Sequence, residues 1–258
     1  MIDAGTYGAI NWVDLSTPNV ADSVHFYRDL FGWAIDPMTT DMGDYYVAKV
    51  GDFETAGMME QDPDAQEMPS TWTTFVFVED IDHTVANVAG AGGHVLTPPF
   101  SIPGDAKVAV VTDPSGAMFA VLGGGERPTG AYLSNDAGRV CWFELITRDT
   151  AAAEGFYSAV FDWKPVTEPT STGQEYTMFK LADEDVAGMM AMPADVPPEA
   201  PAHWTPYFAV DDCHDAETRA ADLGGCVLVP TMQIEIGHFA VLEDPTGAKF
   251  NLMDYRMS

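Results

Sequence analysis

The chain has 258 residues, with 40 acidic side chains against 11 Lys and Arg, a formal charge of −29 and a pI near 4.1. A field of that sign repels phosphate backbones and anionic lipid, and the few cations form no basic patch, so nucleic acid and membrane surfaces are set aside as partners. The length permits a sizeable core, with roughly three quarters of the unfolded surface buried on folding.

The segment Met1 to Ala9 has neither the basic flank nor the apolar run of a secretory signal, and no apolar stretch reaches membrane-spanning length. The cysteines, Cys141, Cys213 and Cys226, are odd in number and lack Cys-x-x-Cys spacing. They read as small buried thiols, and a cytoplasmic location is expected.

In chain order, Ile10 to Thr17 alternates apolar and polar positions and predicts a strand with Ile10, Trp12, Asp14 and Ser16 on one face. Asn19 offers an N-cap, Val20, Val24, Tyr27, Leu30 and Phe31 recur at helical spacing, and Gly32 supplies the stop. Tyr45 to Val50 and Ala56 to Met59, parted by Gly51-Asp52, predict a hairpin, and Gln61 to Pro69 a loop. Trp72 to Val78 is a further strand, Asp80 caps a helix running to about Ala91, and Gly92-Gly93 ends it. Strands near His94 to Leu96, Val108 to Val111 and Met118 to Leu122 follow, with Asp113-Pro114-Ser115-Gly116 as the turn before the last. Gly123-Gly124-Gly125 through Gly138 reads as a flexible connector.

After the connector the chain repeats itself. Trp12 to Trp33 is written again as Trp142 to Trp163, with Asp14/Glu144, Thr17/Thr147, Phe26/Phe156, Tyr27/Tyr157 and Phe31/Phe161 in register. The second copy closes on Asp244-Pro245-Thr246-Gly247 and the strand Lys249 to Met253. Each half therefore reads as two strand-helix-strand-strand-strand modules, four in the chain.

The Phe-Tyr at the helix centre, the following Phe31-Gly32-Trp33 or Phe161-Asp162-Trp163, the strand ends Val78 to Asp80 and Val210 to Asp212, the Gly-Gly and the Asp-Pro-x-Gly turn carry a resemblance. Together they resemble the glyoxalase, bleomycin-resistance and extradiol-dioxygenase group, the vicinal oxygen chelate superfamily, over nearly the whole chain. Among its branches the sequence is most similar to two-domain actinobacterial antigens and hydroxylase-like proteins. The resemblance implies an α+β protein of tandem glyoxalase-like domains, four βαβββ modules forming two incomplete β-cups with helices outside. Domains are expected over 1–124 and 139–258 with a linker over 125–138, giving a monomer whose halves imitate a dimer.

The resemblance also implies where a divalent metal would be held. Its positions fall here on Trp12 and Trp142, near Gly57 or Met58 and near Gly188 or Met189, on Thr73 and Thr205, and on Ala120 and Asn251. Such ions need imidazole or carboxylate donors converging on one centre, which these residues do not supply. No cofactor is expected. The alternative is a divalent metal held by relocated donors, Asp14, Glu144, His203 and His238, in a lyase or oxygenase.

Two readings of the remaining residues stay open. Trp12, Trp72, Trp142 and Trp204, with Met58, Met189, Phe119 and Tyr207, are expected near the open sheet, where they either wall a ligand pocket or simply fill it. Asp14 and Glu144 lie on the same strand face as Trp12 and Trp142, and either anchor a ligand or make an ordinary buried hydrogen bond to backbone or tyrosine. His203 reads as a loop or site residue. Lys107 and its counterpart His238 read as strand-edge or site residues. The partner expected is a small organic molecule, aromatic or carbonyl-bearing, bound or sequestered in a cup. A role carried by the outer surface, as in an antigen, is a third possibility.

Overall fold

Two eight-stranded sheets, one in each half, carry the four modules. The computed structural model describes residues 5–40, 43–62, 69–125, 133–194 and 196–256, so parts of the expected loop over 61–69 and of the expected connector lie outside the described residues. The first half runs β1 (Ile10–Thr17), α1 (Val20–Phe31), β2 (Ala34–Thr40), β3 (Gly43–Val50), β4 (Phe53–Glu60), β5 (Thr71–Val78), α2 (Ile81–Gly90), β6 (His94–Ile102), β7 (Ala106–Thr112) and β8 (Met118–Gly124). The second runs β9 (Val140–Thr147), α3 (Thr150–Phe161), β10 (Lys164–Pro169), β11 (Glu175–Leu181), β12 (Glu184–Ala191), β13 (His203–Ala209), α4 (Cys213–Asp222), β14 (Cys226–Ile234), β15 (Gly237–Glu243) and β16 (Lys249–Asp254). The strand orders are β2-β3-β4-β1-β5-β8-β7-β6 and β10-β11-β12-β9-β13-β16-β15-β14. This is the expected α+β arrangement of βαβββ modules.

The helix ends follow the local chemistry. Asn19, Asp80, Asp149 and Asp212 each accept the backbone N–H three residues on, satisfying a donor that the first turn leaves unpaired. Gly32 closes α1 in the left-handed region at φ 71°, and Asp162 takes the same conformation after α3 at φ 58°.

Strands β2 and β10 have no counterpart in the segments singled out from the sequence, and β6 is longer than the expected His94 to Leu96. The cause is position. β2, β6, β10 and β14 are the sheet edges, mostly exposed, so they show little apolar alternation, and each contains proline, which an edge tolerates because one side of its backbone needs no partner. In β6 the register against β7 shifts between Thr97 and Phe100, across Pro98-Pro99.

Packing sorts the chain into two compact units. One consists of Met1–Asn11, Thr74–Thr129 and Trp142–Trp204, the other of Trp12–Thr73, Gly130–Cys141 and Thr205–Ser258. In the second unit α1 packs on α4, and Tyr27, Phe31, Trp33, Trp72, Phe208 and Phe250 form an aromatic core with ring centroids 5.0–6.2 Å apart. In the first, α2 packs on α3, and Phe119, Phe156, Tyr157, Phe161, Trp163 and Trp204 form its counterpart.

Each core holds one buried polar chain. The Trp72 indole donates to the Tyr27 hydroxyl at 3.0 Å, and that hydroxyl meets Asp244 of the second Asp-Pro-x-Gly turn. The Trp204 indole donates to the Tyr157 hydroxyl at 2.9 Å, which donates to Asp113 of the first such turn. The turn aspartates also accept backbone N–H groups within their own turns, so one carboxylate shapes a turn and anchors a helix together.

Candidate functional site

Strand alternation and register determine which residues meet. Asp14 lies opposite Gly57 and Ser16 opposite Met59 in the parallel β1–β4 pair, while Tyr45 lies opposite Met59 and Val47 opposite Gly57 in β3–β4. Directly paired residues share a face, so Trp12, Asp14, Ser16, Tyr45, Val47, Gly57 and Met59 form one surface. Trp12, Ser16, Tyr45, Val47 and Met59 are half-buried, whereas Val13, Leu15, Ala56 and Met58 on the opposite face have no exposed surface.

At the centre of this surface is the Asp14 carboxylate, 7 % exposed. Its Oδ1 accepts from the Trp12 indole at 2.7 Å and from the Tyr45 hydroxyl at 2.7 Å. Trp12 and Tyr45 are themselves 2.9 Å apart. Among the described residues Oδ2 accepts no hydrogen bond, and it is not among the polar atoms sealed from solvent. Burial disfavours the charged form and pushes the Asp14 carboxyl up to about 6, against the opposing pull of the two hydrogen bonds. The same burial, with the neighbouring carboxylate, raises the Tyr45 hydroxyl, which stays protonated as a donor.

Gly57 makes the arrangement possible. A Cβ there would collide with both the Tyr45 hydroxyl and the Asp14 carboxylate, so only glycine lets these groups converge over β4. The other half repeats the construction on Trp142, Glu144, Ile146, Tyr176, Met178, Gly188 and Met190. There the Trp142 indole donates to the Tyr176 hydroxyl at 2.9 Å, and a Cβ on Gly188 would strike that hydroxyl. Glu144 is 5 % exposed.

Several expected site residues lie elsewhere. Trp72, Trp204 and Phe119 do not wall the open face; they belong to the aromatic cores, Phe119 against Phe156, Tyr157 and Phe161. Met58 and Met189 are likewise corrected, being fully buried on the opposite face, while Met59 and Met190 take the open one. In each case neighbouring residues of a strand point to opposite faces, so an assignment one residue off reverses the side. Tyr207 pairs with Asn251, whose amide donates to Thr205 at 3.1 Å, on the side of β13 away from the Phe208 core. Lys107 is exposed, 3.7 Å from Asp82. His238 is half-buried, with Nδ1 3.0 Å from the Asp254 carboxylate, and His203 is exposed with Nδ1 3.1 Å from the Pro201 carbonyl.

In the sequence Tyr45 stood out only as the start of a hairpin strand, and Tyr176 did not stand out at all. The signal was present: Tyr45/Tyr176, Gly57/Gly188 and Met59/Met190 all recur at an offset of 131.

The residues do not fit the divalent metal that the fold implies. At the first of its positions stands an indole N–H aimed at a carboxylate, a donor where a lone pair is needed. Among the described residues no group of three His, Cys, Asp or Glu side chains converges to hold an ion, and His238 is spent on Asp254.

Comparison with known proteins agrees with this architecture. The model of the Glyoxalase/Bleomycin resistance protein/Dioxygenase superfamily matches residues 9–121 and 139–252, and the chain belongs to that family. It is 37 % identical over 250 residues to the "Putative glyoxylase CFP32" of Mycobacterium tuberculosis, covering 95 % of this chain and 94 % of that one. It is 32 % identical over 262 residues to the "Anthracycline biosynthesis protein DnrV" of Streptomyces peucetius, covering 96 % and 94 %. The fold is shared with a Mn(II)-bound glyoxalase from Novosphingobium aromaticivorans (TM-score 0.63, 15 % identity, 96 % of this chain and 82 % of that one). It is also shared with the 2,3-dioxygenase LapB from Pseudomonas sp. KL28 (TM-score 0.64, 14 % identity, 95 % and 91 %).

Proposed function

We propose that the chain binds a small organic molecule on the open face of its sheets without the family's divalent metal, with Trp12, Trp142, Tyr45 and Tyr176 as contact surfaces and Asp14 and Glu144 as polar anchors. The observation that carries this reading is Asp14, a buried carboxylate with one oxygen spent on Trp12 and Tyr45 and the other left for an incoming group. Burying a carboxylate is costly unless a partner uses it. Half-buried indole, phenol and thioether groups around it suit a flat apolar body, because they offer large contact area and adapt to irregular shapes. A relative named for anthracycline biosynthesis is in keeping with an aromatic ligand.

Tryptophan fluorescence and thermal shift, titrated with a panel of aromatic and carbonyl compounds, test the proposal. Saturable quenching that weakens in Trp12→Phe and disappears in the double variant Trp12→Phe/Trp142→Phe supports it, and no response in either measurement across the panel overturns it. Elemental analysis of protein purified without a histidine tag addresses the metal separately. Stoichiometric Mn, Fe, Ni or Zn would replace the metal-free reading with a lyase or oxygenase using relocated donors.

A further inference from the structure

Within the binding role proposed above, and resting on it, we infer that the Asp14 site selects ligands carrying a protonated amine on an aromatic or apolar body. The free Oδ2 atom of Asp14 can only accept, so the group that meets it must donate. The nearest protein donors, the Trp12 indole and the Tyr45 hydroxyl, are both already directed at Oδ1. Beside Trp12, Asp14, Ser16, Tyr45, Val47, Gly57 and Met59, the β2–β3 register places Asp36, Met38 and Lys49 on this face, and the one cation among these residues, Lys49, is 3.2 Å from the Asp36 carboxylate, so none of them is left to neutralise a ligand carboxylate or phosphate.

Two effects then favour an ammonium over a neutral hydroxyl. A hydrogen bond between two charged groups is about twice as strong as a neutral one. The net charge of −29 concentrates cations near the protein and repels anions before contact. The structure thus assigns the ligand a polarity as well as a shape.

Calorimetry on the full chain with three near-isosteric probes, 2-naphthylmethylamine, 2-naphthalenemethanol and 2-naphthoate, tests this at pH 7.5. The amine is expected to bind roughly tenfold more tightly than the alcohol, with the carboxylate weakest. In the double variant Asp14→Asn/Glu144→Gln, which removes the carboxylate from both copies of the surface, the amine is expected to lose its advantage over the alcohol. That variant alters the net charge by only two units, so non-specific attraction of the amine by the acidic surface would survive it. An amine preference that persists in D14N/E144Q, or equal affinities of the three probes for the parent protein, overturns the amine assignment and leaves the binding role standing. Absence of binding by all three overturns both. Should the double variant fail to fold, the parent ranking repeated in about 0.5 M NaCl, where diffuse attraction is screened, decides the matter.

Discussion

The Tyr157 hydroxyl, at the centre of α3, donates to Asp113 at 3.3 Å and so ties a helix to the Asp-Pro-x-Gly turn that precedes β8. The same hydroxyl accepts from the Trp204 indole at 2.9 Å, and all three groups are buried. Tyr157→Phe keeps the ring but strands the Trp204 N–H and one Asp113 oxygen, each at about 1–3 kcal/mol. A loss of roughly 2–4 kcal/mol in chemical denaturation is expected, with ligand binding by the folded fraction unchanged.

Asp14 should leave a signature in the pH dependence of stability. Its carboxyl is pushed up to about 6 in the folded protein from the ordinary aspartate value of 3.8, so the folded state holds that proton more tightly. The stability associated with this group is therefore complete below about 3.8 and is lost as pH rises through about 6. Asp14→Asn removes the dependence. The stability of D14N relative to the parent should rise by roughly 2 kcal/mol between pH 4 and pH 7, because the other acids contribute equally to both proteins. Paired urea titrations at the two pH values measure it, and a constant difference would contradict a buried, titrating Asp14.

Binding of a cationic ligand should run the opposite way. Protonation of Asp14 removes the acceptor charge, so affinity for 2-naphthylmethylamine is expected to fall as pH drops through about 6, while affinity for 2-naphthalenemethanol stays flat. Isothermal titrations from pH 5 to pH 8 distinguish the two profiles.

Gly57→Ala adds one methyl group where the Tyr45 hydroxyl and the Asp14 carboxylate already meet. The expected cost is about 1–3 kcal/mol, and the ligand response of Trp12 should vanish because Tyr45 must swing away. Gly188→Ala should act in the same way through Tyr176. A G57A protein with parent-like affinity would show that the close approach has no part in binding.

The two tryptophan classes should separate cleanly. Trp72→Phe leaves the buried Tyr27 hydroxyl without its indole donor and opens space in a packed core, at about 2–4 kcal/mol, with ligand affinity retained. Trp12→Phe, at a half-buried position, should cost about 1 kcal/mol in stability but remove the Trp12 share of the fluorescence response to ligand, leaving that of Trp142.

The modular plan was legible because duplication, capping residues and Asp-Pro-x-Gly turns are local signals. Asn19 and Asp80 cap the helices that their neighbours predict, and Gly32 ends α1 in the conformation that glycine permits. Trp12 and Asp14 were placed on one face correctly, since alternation within a single strand suffices. What pairs across strands was not legible. Whether Met58 or Met59 faces outward depends on the register of β4 against β1 and β3, and a β-bulge between Ala48 and Lys49 alters the count along the hairpin. Trp72 looked like a wall because aromatics suit pockets and cores equally; its partner, Tyr27, lies 45 residues away. The edge strands were hidden for the opposite reason, since exposed backbone that pairs on one side leaves little hydrophobic trace.

The polar thread from Trp72 through Tyr27 to Asp244 carries a cost in time. Ser23, one turn before Tyr27, reaches the same aspartate across 221 positions of sequence. During synthesis α1 emerges well before Phe250 and the Asp244 turn, which cover its aromatic side. The nascent chain must keep Phe26, Tyr27 and Phe31 out of wrong associations until the closing strand arrives, and slow closure of such distant contacts is what chain topology dictates. A dense negative charge, by holding unfinished copies apart, is well matched to that wait.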